Sequence, residues 1–117
     1  MVMHLTLKLL TIIREVTMTQ LLDLVTPGEV LHEEFMKPYN VSQNQLARDL
    51  NVPPSRVHAI VHGKRSITAD MALRLAKYFK TSAELWINLQ SHYDLELAQR
   101  NEWPAIQERI RPLKIAS

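Results

Sequence analysis

From Thr26 onwards the apolar positions fall into helical spacing, and each run is bounded by recognisable start and stop residues. Thr26-Pro27-Gly28-Glu29 combines a capping hydroxyl, a proline at the first helical position and a glutamate three residues after the cap. The helix it opens carries Val30, Leu31, Phe35 and Met36 on its inner face and is ended by Pro38. Ser42-Gln43-Asn44-Gln45 is a second capping box, leading a short helix with Leu46, Ala47 and Leu50 inward. Asn51 then stands where a helix exits through a left-handed residue. Pro53-Pro54 starts a third helix containing Val57, Ile60 and Val61, closed by Gly63. Thr68 caps a fourth, with Met71, Ala72, Leu75, Ala76 and Phe79 at spacings of three and four. Thr81-Ser82-Ala83-Glu84 reads as a further capping box, opening a long fifth helix through Leu85, Trp86, Leu89, Tyr93 and Leu97. Pro104 stops or kinks the chain beyond that helix, and Pro112 limits the tail. The pattern predicts an all-α fold of five helices joined by short loops.

Before Thr26 the pattern is poorer. Leu5, Leu7 and Leu9 alternate briefly, and Leu10, Ile12 and Ile13 extend an apolar cluster. No small-residue cleavage site follows it and Arg14-Glu15 interrupts it, which argues against a secretory signal. Residues 1–25 read as an extension, with Met18 an alternative start. Residues 26–100 form the folded domain and residues 101–117 a C-terminal tail.

Composition narrows the function classes. Hydrophobic residues make up 46% of the 117, enough for a packed core. The absence of cysteine excludes disulfides and thiolate zinc sites and fits a reducing cytoplasm. The longest apolar run is too short to span a membrane. The net charge is only +2, but its distribution is uneven. Residues 41–80 hold seven basic side chains against two acidic ones, whereas residues 81–108 lean acidic. A basic middle suits an anionic polymer, and the remaining surface suits protein contacts.

The two short helices at 42–50 and 54–62, joined by Asn51-Val52, carry the candidate function. An α-helix fits the major groove of B-DNA, provided that a preceding helix crosses the backbone and holds it there. Leu46, Ala47, Leu50, Val52, Val57 and Ile60 can form the shared core, with Ala47 small where the helices approach. Ser-Gln-x-x-Leu-Ala-x-x-Leu-x-Val from Ser42, followed by Val57, Ile60 and Gly63-Lys64-Arg65, resembles the λ-repressor/Cro-like helix-turn-helix family. The wider stretch is similar to the HigA (VapI-like) antitoxins. Its matching residues run from Pro27 to Leu31, from Gly63 to Thr68, from Met71 to Ala76 and, most specifically, from Phe79 to Gln90. That resemblance implies a five-helix domain that binds a palindromic operator as a homodimer, represses its own operon and neutralises a small HigB-like ribonuclease toxin.

Candidate DNA contacts lie on both helices. Gln43, in the first turn of its helix, can hold a phosphate with nearby backbone N–H groups. Pro54, Ser55, Arg56, Ala59 and His62 lie on the reading helix, and Arg56 can bond guanine or a phosphate. Lys64 and Arg65 come after Gly63, where phosphates would pass or where they would complement the helix dipole. His58 and His62, four apart, raise the question of a metal, but the glutamate of a zinc-protease helix is missing. No metal or cofactor is expected, and no nucleophile motif or phosphate loop points to an enzyme. Leu85, Trp86, Leu89, Tyr93 and Leu97 form a stripe that fits core and dimer interface equally well. Two further readings remain open: a stand-alone regulator without a toxin, and a protein-interaction module with vestigial DNA binding.

Overall fold

The computed structural model describes residues 24–115; the extension ahead of them, with Met18, lies outside the described residues. Helix α1 begins as Pro27–Val30 and continues as a π-helical stretch, Leu31–Met36. Helices α2 (Gln43–Leu50), α3 (Pro54–Val61), α4 (Ala69–Phe79) and α5 (Ala83–Asn101) come next. A short α6 (Trp103–Ile106) and a 3-10 turn (Gln107–Arg109) come last. The described residues contain no strand, and the fold is all-α as expected. Pro104 begins α6 rather than merely ending α5, because a proline in the first turn removes only an N–H that has no partner there.

Four helices open on hydroxyl caps. Thr26 Oγ1 accepts from Glu29 N at 3.1 Å, Ser42 Oγ from Gln45 N at 3.1 Å and Thr68 Oγ1 from Met71 N at 3.3 Å. The fourth differs from expectation by one residue: Ser82, not Thr81, caps α5, accepting from Leu85 N at 3.1 Å. Thr81 is committed elsewhere. Its N–H closes α4 by bonding Ala76 O at 3.0 Å, and its hydroxyl accepts from Trp86 Nε1 at 2.9 Å.

The helix ends obey one rule. Asn40, Asn51, Gly63 and Lys80 all have positive φ, between 54° and 72°. In each case the next residue's N–H reaches back five positions: Val41 to Met36, Val52 to Ala47, Lys64 to Ala59 and Thr81 to Ala76, at 2.8–3.0 Å. This closure satisfies carbonyls that the helix itself leaves orphaned.

Leu31, Phe35, Met36, Leu46, Ile60, Met71 and Leu75 meet in one core with Trp86. Within α1, the wider π turn, seen where Lys37 N bonds His32 O, brings Leu31 and Met36 onto one side five residues apart. Phe35 lies 4.8 Å from Trp86 and 5.3 Å from Phe79, ring centre to ring centre. Trp86 is completely buried and belongs to this core, not to an exposed stripe. Leu85 and Leu89 are half-buried against the same core, Tyr93 is half-buried, and Leu97 is exposed. From Asn101 to Ile115 every residue is exposed.

Candidate nucleic-acid interface

The turn between α2 and α3 is held from two sides. Internally, Val52 N bonds Ala47 O, and Asn51 adopts φ 59°, so the chain reverses within three residues. Externally, Arg74 of α4 donates from Nη1 to Leu50 O at 2.7 Å and to Asn51 O at 3.2 Å. A guanidinium at these carbonyls also complements the negative end of α2. Arg74 Nε in turn donates to Asp70 Oδ2 at 2.9 Å. Nearby, Tyr78 OH donates to Asp49 Oδ2 at 2.7 Å, tying α4 to α2. Burial and then the Asp49 carboxylate push the Tyr78 phenol above its usual range, so it remains a donor.

Helix α3 turns Val57 and Ile60 into the core. Its opposite side exposes Pro54, Ser55, His58 and His62, with Ala59 half-buried among them. Gln43, the first residue of α2, joins this face: its Oε1 lies 3.2 Å from His58 Nδ1. The rings of His58 and His62 are 4.1 Å apart. Gly63 then ends the helix, and Lys64 and Arg65 stand exposed beyond it, without an ion pair among the described residues. The loop that carries them is fixed by Gln90 of α5, whose buried Oε1 accepts from Ile67 N at 2.8 Å. Gln90 Nε2 donates to Asp94 Oδ1 at 2.9 Å.

Arg56 lies away from the others. One residue past Ser55 is about 100° further round a helix, and that rotation takes Arg56 to the flank facing α4. Its Nη1 is 3.7 Å from Asp70 Oδ2, and its Nε is buried without a hydrogen-bond partner. Gln43, Pro54, Ser55, Ala59 and His62 thus share the exposed side of the two helices, Lys64 and Arg65 stand exposed just past the end of α3, and Arg56 lies at the flank. Sequence reasoning places His58 and His62 on one helix face as DNA-facing or surface histidines but commits only His62 to the site; the structure exposes both on this face. Sequence reasoning misses Arg74 and Gln90, whose bonds cross more than twenty residues of sequence. Among the described residues, no group of three His, Cys, Asp or Glu side chains could hold a metal ion. None of the described helices is long and apolar enough to cross a membrane.

A short helix seated across a tight turn from a second helix with an exposed polar stripe defines the helix-turn-helix class, and the HTH_3 helix-turn-helix family model matches residues 33–86. Virulence-associated protein I of Dichelobacter nodosus is 47% identical over 78 residues, 67% of this chain and 72% of that protein. An addiction module antidote protein of the HigA family from Coxiella burnetii superposes with a TM-score of 0.71 at 47% identity. That match covers 76% of this chain and 97% of the other. The Pseudomonas aeruginosa antitoxin HigA, solved with the higBA promoter, gives 0.73 at 44% identity over 77% and 98% of the two chains. The chain belongs to the HigA-like antitoxin family of helix-turn-helix proteins, a family of regulators and not of enzymes.

Proposed function

We propose that this protein is a DNA-binding antitoxin that represses its own operon, reading a palindromic operator as a homodimer and neutralising a small HigB-like ribonuclease toxin in the cytoplasm. The observation that carries the DNA-reading part is the convergence of Gln43 with the exposed stripe of α3, followed at once by two unpaired cations, Lys64 and Arg65. The relative solved with its promoter supports the same reading.

In this reading α3 enters the major groove, with Pro54, Ser55, Ala59 and His62 towards the base edges. Gln43 and the first N–H groups of α2 hold one phosphate. Lys64 and Arg65 hold phosphates beyond the end of α3, and Arg56 adds charge at the flank, restrained by Asp70. A homodimer sets two such helices about 34–36 Å apart, one helical turn of DNA.

Binding to the duplex upstream of its own gene, titrated across salt concentrations, tests the DNA arm. Lys64→Ala should weaken all sequences alike and lower the salt slope by about 0.9. A binding constant indifferent to salt would leave the interaction-module reading in its place. Co-expression with the small reading frame adjoining the gene tests the toxin arm. Growth arrest by the neighbour alone, relieved by this protein, supports neutralisation; a harmless neighbour leaves a stand-alone repressor.

A further inference from the structure

The exposed stripe of α3 carries an imidazole with one ring nitrogen engaged and the other free. His58 Nδ1 faces Gln43 Oε1 at 3.2 Å. An amide oxygen only accepts, so Nδ1 carries the proton and donates. In that arrangement the neutral ring is the Nδ1–H tautomer. In the neutral ring Nε2 is then a bare acceptor, and in the imidazolium it is a donor. Nε2 has no hydrogen-bond partner among the described residues, and His58 is exposed on the same side as Ser55 and His62.

We propose that His58 is a base-reading residue whose preference changes with protonation, and that Gln43 is the positioning residue that fixes its ring. The inference rests on α3 being the DNA-reading helix. In neutral form, Nε2 accepts from the amino group of adenine N6 or cytosine N4; as imidazolium it donates to guanine O6 or N7. Few titratable or charged groups face the ring. From α2 the facing side chain is the uncharged Gln43, and from α3 itself the titratable neighbour is His62. Neither imidazole is ion-paired with a carboxylate among the described residues. The centres of the two rings lie 4.1 Å apart.

Selection of bound duplexes from a randomised library by the full-length protein, at about pH 5.5 and about pH 8, brackets the ordinary imidazole range. One symmetry-related pair of positions should favour adenine or cytosine at the higher pH and guanine at the lower. The swing at that pair of positions should be about tenfold. His58→Asn retains an amide donor for Gln43 but cannot titrate, so its preference there should be the same at both pH values. Identical wild-type selections at the two pH values, or a switch that survives His58→Asn, would overturn the assignment. A library from which no duplex is enriched at either pH would instead remove the DNA-reading face on which it rests.

Discussion

Gly28 and Lys80 illustrate opposite demands that the backbone makes on single residues. Gly28 lies where the first turn of α1 crosses the end of α3, and a Cβ there would overlap the Ile60 carbonyl oxygen. Neither partner is a side-chain tip that can swing aside. Gly28→Ala is therefore expected to cost about 3 kcal/mol, read from the midpoint of urea unfolding. An unchanged midpoint would mean that α1 shifts freely against α3. Lys80 occupies the left-handed region at φ 58° with a full side chain. Lys80→Gly should relieve that strain and raise stability by about 0.5–1 kcal/mol after glycine's own entropic cost. A destabilised Lys80→Gly protein would show that the lysine stem contributes packing worth more than the strain. The same contrast explains what is legible in the sequence at this scale. Asn51 and Gly63 announce their closures because their residue types favour positive φ, and Thr26, Ser42 and Thr68 announce their caps. Lys80 gives no such signal, so the sequence pattern misplaces the start of α5 by one residue, onto Thr81.

At the scale of elements, periodicity places all five principal helices and the inner faces of α2, α3 and α4. It cannot supply the bonds between helices. His58 and Gln43 are fifteen residues apart, and Arg74 and Leu50 twenty-four; nothing local joins them. For the same reason the ion pair of Arg56 with Asp70 on α4 is not visible from its position in the first turn of α3. Arg74 is the residue through which α4 holds the turn between α2 and α3. Its guanidinium satisfies two carbonyls and one carboxylate together, a geometry that a fork of N–H donors provides and a single ammonium does not. Arg74→Ala should cost about 1.5 kcal/mol, the lower end for charged hydrogen bonds because the side chain is about a third exposed. In thermal unfolding this corresponds to a drop of roughly 6 °C. Arg74→Lys should recover only part of it. Full recovery by lysine would reduce the role of Arg74 to charge alone.

At the scale of the whole molecule, the described residues leave several large apolar side chains exposed towards the C-terminus, besides Tyr39 and Leu73 elsewhere. Leu95 and Leu97 on α5 are exposed, and so are Trp103 and Ile106 on α6 and Ile110 after it. In the proposed function they supply the contact surface for a partner, because large exposed apolar side chains mark interaction sites. The sequence stripe at Leu85, Trp86, Leu89, Tyr93 and Leu97 points to this end of α5, but its first members are held by the core, and of the five Leu97 alone is exposed, at 38%. Periodicity cannot make that division, since both uses need the same spacing. A second copy is the occupant that the proposed function requires: one reading module buries only about 600–1,000 Å² on DNA, and a palindrome offers two equivalent half-sites. The pair Leu97→Glu and Ile106→Glu places charges at exposed positions and leaves the core untouched. The variant should keep wild-type helicity but sediment as a monomer, whereas the wild type is expected to sediment as a dimer at the same concentration. Its affinity for a full palindrome should fall on the order of 100-fold, because the second half-site no longer binds as part of one molecule. Its affinity for an isolated half-site should stay within about twofold of wild type, since α3 and its phosphate contacts are unaltered. A doubly charged variant that remained dimeric would move the interface off this end of the molecule. Loss of half-site binding as well would mean that the tail contributes to the DNA contact itself.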